Sequence, residues 1–423
     1  MQNLTDKNFW IDKILPSITE YGIYLLVMFL FTDKGESFRT IGLYIPPIAL
    51  IIRSYLVRQK PFDWNDPLFL SISALCFSAI VSSLMANDPL LSMSEVKKTY
   101  LKIFLMFIVI KATFGVTTPV RRIVVLLSVL SVFFIAMTYY DYVTKAIAND
   151  GRILYDFVRK YNSILAYLLP FIPYVVINTK NKSRKLLWIL ALSLGLAALL
   201  LTGFRGGWVS ISVSMLIWSI WSLRTKWSKA FLLIVSGTII TISIILTLLP
   251  SSHIKTRLQS GFSTTHRSEW GWKGYAQIYY EFPIMNKILG KGLSKEEMYT
   301  AFDEWYRQDK GDYPTQDIPP NPHNFYLSIL FKQGLLGFIL YINLIVVTLT
   351  TMINAIKKNR ILEDRAMGIA ILCPFIGEFL VHSLVEDMRL MPLGLILGLV
   401  GAYSNLTETN SCKGKDDGYL SNP

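Results

Sequence analysis

Hydrophobic positions along this chain fall into long unbroken runs separated by short polar stretches. A helix needs about 20 apolar residues to cross a bilayer, with a range of about 17 to 25. Runs of that length occupy 16–32, 40–57, 67–85, 98–114, 121–140, 162–179, 186–203, 206–222, 230–249, 330–353, 366–385 and 388–404. They predict an all-α polytopic membrane protein with about twelve transmembrane helices, the pairs flanking Arg205 and Asp387 being joined by very short turns. The long polar stretch from 250 to 329 is the one extended segment that cannot be a span. The chain therefore divides into helices 1–9 (residues 1–249), a large, mainly helical loop (250–329), helices 10–12 (330–404) and a short polar tail (405–423) expected to be disordered.

Composition agrees with this division. Hydrophobic residues make up 52% of the 423 and charged residues only 17%, against about 25% charged in soluble domains. The formal charge of +13 resides in clusters between the apolar runs: Arg58 with Lys60, Arg121 with Arg122, Lys180 to Lys185, Arg224 to Lys229, and Lys357 to Arg365. With twelve spans and a cytoplasmic N-terminus, all of these fall on the cytoplasmic side, as the positive-inside rule requires. Nucleic-acid binding is not implied. The same threading places the long loop outside, and makes 405–423 a cytoplasmic tail. Residues 1–13 are polar and lead into a first span expected to be uncleaved. Cys76, Cys373 and Cys412 share no metal-ligand spacing and imply neither a disulfide framework nor a metal site.

Some residues inside the runs need their own explanation. Pro46, Pro47, Pro170, Pro173 and Pro374 should bend helices and leave carbonyls for neighbouring helices to satisfy. Trp188, Trp208, Trp218, Trp221 and Trp227 lie near span ends and read as interfacial anchors. Lys102 and Lys111 in the fourth span read as snorkelling side chains.

Candidate chemistry gathers at the outer end. Arg205 stands in a turn, Thr202-Gly203-Phe204-Arg205-Gly206-Gly207, where glycines allow close approach of backbone to a ligand and a guanidinium can fork onto phosphate oxygens. An arginine snorkelling to lipid phosphate has the same signature. The long loop carries His266-Arg267-Ser268-Glu269-Trp270. A helix over 268–281 is expected to place Trp272, Ala276 and Tyr279 on one face, and 296–306 a second short helix. Gly290-Lys291-Gly292 marks a turn, and 314–322 is Pro-rich and extended. His323 precedes a helix that Asn324 can cap. An imidazole can serve as a general base near neutral pH, although a lone histidine is more often structural. The helix that follows is interrupted at Lys332-Gln333-Gly334-Leu335-Leu336-Gly337, whose glycines fit close packing. Glu378, His382 and Glu386 recur at helical spacing, followed by Asp387 and Arg389. Ionisable residues at membrane depth are either functional or a polar pair closing the bundle.

The ordered set Thr-Gly-x-Arg205-Gly, Arg267-x-x-Trp270, Gly290-x-Gly292, His323-Asn324-x-x-Leu327 and Gly334-x-x-Gly337 resembles the O-antigen ligase/polymerase superfamily over roughly residues 195 to 345. Phe204 stands where a small hydroxyl residue is expected. The resemblance implies transfer of glycan from undecaprenyl diphosphate to an acceptor sugar, without metal or cofactor, on the periplasmic side of the bacterial inner membrane. It implies that Arg205 and Arg267 hold the diphosphate and that His323 deprotonates the acceptor. Asn324, Glu378, His382, Asp387 and Arg389 are candidate supporting residues. Chain length, twelve spans and one dominant outer loop favour a ligase, with the lipid A-core oligosaccharide as acceptor, over a polymerase that extends lipid-linked repeats. A transporter or flippase should instead show repeated halves and ionisable residues at the membrane midplane, whereas here the halves differ and the charges collect at one end.

Overall fold

The computed structural model describes residues 9–32, 35–58, 63–114, 120–146, 161–201, 205–225, 271–310, 322–384 and 390–416. Among them the regular structure is helical. The helices are α1 Trp10–Leu30, α2 Glu36–Val57 and α3 Pro67–Leu84, then short α4 Pro89–Glu95, α5 Leu101–Phe114 and α6 Val120–Asp141. They continue with α7 Ser163–Asn178, α8 Lys182–Leu201, α9 Arg205–Leu223, and the loop helices α10 Lys273–Glu281, α11 Ile284–Leu289 and α12 Lys295–Lys310. The chain closes with α13 Phe325–Lys358, α14 Leu362–Leu384 and α15 Met391–Asp416. Eleven of the twelve predicted spans coincide with helices, eight of them long and apolar enough to cross a membrane by themselves. The predicted span at 230–249 lies outside the described residues.

One large apolar core runs through α7, α14 and α15, where Leu165, Phe171, Ile371, Phe375, Leu395 and Leu399 are buried. Around it α2, α8 and α13 turn Ile48, Ile51, Leu186, Leu187, Ile339 and Val346 outward. Exposed aliphatics on that scale suit lipid, not water, as the surrounding solvent. Helix pairing follows small residues. Gly394 and Gly398, one turn apart on α15, lie against the α5 backbone: a Cβ at Gly394 would stand 2.6 Å from the Ile103 carbonyl oxygen.

Prolines and tryptophans act together. Pro170 sits in a 3₁₀ turn, Leu169–Phe171, that breaks α7. Its carbonyl accepts a 2.9 Å bond from Trp218 Nε1. This is the satisfaction of freed carbonyls expected from the sequence, but it corrects the anchor reading of Trp218, which is buried in the core. Its position five residues before the end of α9 placed it near an interface in one dimension; packing against α7 decides otherwise. Trp208 links α9 to α8 by donating to the Leu199 carbonyl at 2.9 Å.

Two further expectations change. Lys111 does not snorkel: it is buried, and its Nζ lies 2.7 Å from Asp66 Oδ2. Asp66 also caps α3 by accepting from Phe69 N at 2.8 Å, so one carboxylate anchors a helix and neutralises a buried ammonium. The tail is not disordered from its start, because α15 continues to Asp416. Thr407 is buried and Leu406 packs on the core, which extends the helix past the last strongly apolar residue.

The alternation of loops survives in three dimensions. Towards one end lie the Arg122–Glu20 pair at 2.8 Å and the Lys111–Asp66 pair. At the other end meet the α3–α4 turn, the 290–297 segment, the start of α13 and the end of α14.

Candidate active site

The loop helices attach to the bundle through a backbone clasp. Gly334 adopts φ +65° inside α13, so the helix breaks there. Two carbonyls released by the break are taken up by the loop: Lys291 N donates to Phe331 O and Gly292 N to Lys332 O, each at 3.1 Å. Ser82 Oγ also donates to Lys332 O. The backbones touch so closely that a Cβ on Gly290 would stand 2.2 Å from the Lys332 oxygen, and one on Gly334 would stand 2.4 Å from the Ile288 carbonyl. The two glycine motifs of the sequence are therefore two halves of one joint. Gln333, buried beside it, is tied to Ser78 Oγ at 2.8 Å and to the Tyr100 hydroxyl. Leu293 N donates to Ser92 Oγ at 2.7 Å and Asp88 N to Glu297 Oε1 at 3.1 Å, which sews α12 to the α3–α4 turn. At the start of α12 the Ser294 hydroxyl donates to Glu296 at 2.7 Å and holds that carboxyl below the usual range.

Above the clasp α10 and α12 form a small core of their own. Tyr275 stacks on Phe302 with ring centroids 5.1 Å apart, and both join Ile278, Phe282, Met298, Tyr306 and Phe331 of α13. The most buried face of α10 is Gly274, Tyr275 and Ile278; of the expected stripe Tyr279 packs at the edge of this core, Trp272 is half-buried and Ala276 is exposed. Helical spacing identified an amphipathic helix but centred its buried stripe to one side, because Phe282 after the helix and the rings of α12 determine the buried face.

His323 sits at the edge of this loop, immediately before α13. It is half-buried, with φ +47°, one of two non-glycine residues with positive φ among the described residues. That backbone region costs a non-glycine residue about 1 kcal/mol or more and persists where neighbours enforce it. Asn324, the next residue, is held on two sides. Its Oδ1 accepts from Leu327 N at 3.1 Å, capping α13 as expected, and its Nδ2 donates to the Leu384 carbonyl at the end of α14, also at 3.1 Å. Tyr326 and Tyr341 add bonds to the Leu380 and Phe379 carbonyls at 3.2 and 3.1 Å.

Those carbonyls are accessible because α14 leaves α-helical geometry after Pro374 and runs as a π-helix over Phe375–Val381. Proline lacks the N–H that would continue the ladder, and the wider turn re-aims the side chains. Glu378 and His382, both buried, face each other at 2.8 Å (Oε2 to Nδ1). Ser210 Oγ donates to the other oxygen, Oε1, at 2.6 Å. Ser214, one turn on, donates to the Cys373 carbonyl at 3.0 Å, and Gly377 leaves room for both serines. Ser210 lies five residues into α9, the helix that begins at Arg205. Sequence reasoning did not single out Ser210. Its signal was the Ser210-x-Ser212-x-Ser214 pattern of small polar residues inside an apolar span, which marks close helix contacts.

Of the residues predicted for the site, the structure thus links His323, Asn324, Glu378 and His382 and connects them to the first turns of the Arg205 helix. Arg267, Asp387 and Arg389 lie outside the described residues, and Arg205 is described by its backbone alone. Comparison with known proteins bears on the same region. Residues 190–342 match the family model described as O-antigen ligase. Over 411 residues the chain is 23% identical to the O-antigen ligase of Salmonella typhimurium, covering 93% of this chain and 97% of that protein. Both comparisons support the resemblance to O-antigen ligases that the ordered motifs carry. The matched stretch begins within α8 and ends within α13, so it contains Arg205, Arg267, both halves of the glycine clasp and His323. Glu378 and His382 lie beyond it and reach the site through the fold.

Proposed function

We propose that the protein is a glycosyltransferase of lipopolysaccharide assembly, located in the bacterial inner membrane with its active site facing the periplasm. It passes O-antigen glycan from undecaprenyl diphosphate to the lipid A-core oligosaccharide. The observation that carries this reading is the convergence of three distant elements of the chain. Asn324 ties the His323 edge to the end of α14, and Glu378 of α14 ties back to the helix that starts at Arg205. A base and an anion-binding turn separated by more than a hundred residues are thereby held to one end of the bundle.

In this mechanism His323 takes the proton from an acceptor hydroxyl as its oxygen attacks the anomeric carbon. The bond from that carbon to the diphosphate oxygen breaks, and undecaprenyl diphosphate leaves with both electrons. Arg205 and Arg267 neutralise the leaving group through forked, charge-assisted hydrogen bonds, the role a metal plays elsewhere. With base and leaving group on opposite faces of the sugar, the anomeric configuration inverts. Asn324 orients His323, while Glu378 and His382 hold α9 and α14 in register; Asp387 and Arg389 flank the same end in sequence.

The test is reconstitution in vesicles with lipid-linked glycan and, separately, lipid A-core or further lipid-linked glycan as acceptor. Extension of lipid A-core supports the reading, and should persist in a metal chelator. Extension of only the lipid-linked acceptor would make the protein a polymerase, and movement of glycan lipid across the bilayer without any transfer would make it a transporter.

A further inference from the structure

The short helix α11 has no buried residue. Ile284, Met285 and Ile288 are 70%, 54% and 42% exposed, and Tyr280 just before it is 79% exposed. Three exposed aliphatic side chains on six residues are unfavourable in water, and the aromatic core of α10 and α12 does not cover them. Their location explains them. The Ile288 backbone lies against Gly334, so α11 rests on α13 at the break. Immediately beyond the break, Leu335, Leu336 and Ile339 of α13 are also exposed. The apolar surface of α11 therefore continues into the outward face of a candidate membrane span.

Depth agrees. Beyond the break at Gly334, the part of α13 that runs to Lys358 makes a rod of about 36 Å at about 1.5 Å per residue, slightly over the ~30 Å hydrocarbon core. Counting about 20 residues back from Lys357, in the basic last turn, reaches Gly337. Gly334 and α11 then sit at the boundary between acyl chains and headgroups. Basic residues lie in the helix and just after it: Lys287 Nζ is 5.1 Å from the Tyr280 ring centroid and Lys291 Nζ 5.3 Å from that of Phe282. Aliphatic residues beside lysines folded over aromatic rings form the pattern of an interfacial segment whose cations meet lipid phosphates.

We propose that α11 is an interfacial anchor, with Ile284, Met285 and Ile288 immersed among phospholipid acyl chains and Lys287 and Lys291 at the phosphates. Because the glycine clasp joins α11 rigidly to α13, this anchor also fixes the height of the loop helices above the bilayer. The inference concerns only where α11 lies and does not depend on the reaction proposed above.

The experiment places an environment-sensitive NBD fluorophore on Met285→Cys, with Glu304→Cys on the exposed side of α12 as control. Cys412 is replaced by serine; Cys373 is buried and Cys76 half-buried, and the unlabelled-site parent corrects for any reaction there. Vesicles of phosphatidylethanolamine and phosphatidylglycerol are prepared with and without doxyl-labelled phospholipid. The label at 285 should emit to the blue of the label at 304, and doxyl lipid should quench it at least threefold more. Ile288→Cys should repeat the result. Quenching by aqueous iodide but not by doxyl lipid would overturn the proposal. A blue shift without lipid quenching would also overturn it, assigning the surface to a second copy or another protein.

Discussion

Two joints hold the loop end of this molecule together, and they are built on opposite principles. The clasp at Gly290, Gly292 and Gly334 is neutral and made of backbone. Its carbonyls are released by a helix break and taken up by the loop's own amides. The junction at Ser210, Glu378 and His382 is made of buried ionisable side chains between two spans. Neutral backbone pairing of the first kind gives position at little electrostatic cost, provided that no Cβ intervenes. Buried charges of the second kind are often no more stabilising than well-packed apolar residues, yet removing one partner is strongly destabilising. A chain that needed only mechanical attachment had the cheaper solution available a few turns away. The ionisable junction joins the helix that begins at Arg205 to the helix whose end Asn324 caps onto, whereas the clasp joins the loop helices to α13.

Variants can separate the two joints. The largest loss of stability is expected from Glu378→Ala, about 3–5 kcal/mol, because His382 and Ser210 lose their shared acceptor; thermal unfolding in detergent would measure it. Glu378→Gln should keep most of the stability, since its amide can still bridge Ser210 and His382. It should nevertheless lower the transfer kcat by about tenfold, the equivalent of about 1.4 kcal/mol, with little change in KM for the donor. Equal loss of stability in both variants, with transfer unimpaired in Gln, would reduce the junction to packing.

Next comes Gly334→Ala. The methyl would meet the Ile288 carbonyl at 2.4 Å, and positive φ adds strain, for about 3 kcal/mol in all. Here kcat per folded molecule should fall no more than stability explains. Gln333→Leu leaves Ser78 and Tyr100 without their buried partner and is expected to cost about 1–3 kcal/mol. Tyr341→Phe removes one hydroxyl bond to the Phe379 carbonyl and should cost only about 1 kcal/mol. A larger effect of Tyr341→Phe on transfer than on unfolding would extend the charged junction's role into α13.

Local features were legible in the sequence and long-range ones were not. The spans followed from apolar run length, the Asn324 cap from its place before a helix, and the Glu378–His382 pair from their spacing of four. Each depends on neighbours within a turn or two. The clasp joins residues about forty apart, and the Ser210–Glu378 bond joins α9 to α14 across 168 positions. No periodicity encodes such pairings, although the glycines and small polar residues that permit them were visible. Lys111 looked like a snorkelling lysine because Asp66 precedes a different helix. Trp218 looked like an anchor because the Pro170 carbonyl it satisfies is 48 residues upstream. The displaced stripe on α10 has the same origin in partners outside its own helix.

The central claim is that His323, in its positive-φ conformation next to the Asn324 cap, is the base for glycan transfer. The most direct measurement is single-turnover transfer of lipid-linked glycan to lipid A-core by wild type and His323→Ala, matched for folded protein in the same vesicles. The account predicts that His323→Ala still binds the donor but transfers at least a hundredfold more slowly, with the deficit shrinking as pH rises and the acceptor hydroxyl ionises more readily. Near-normal transfer by His323→Ala would contradict it.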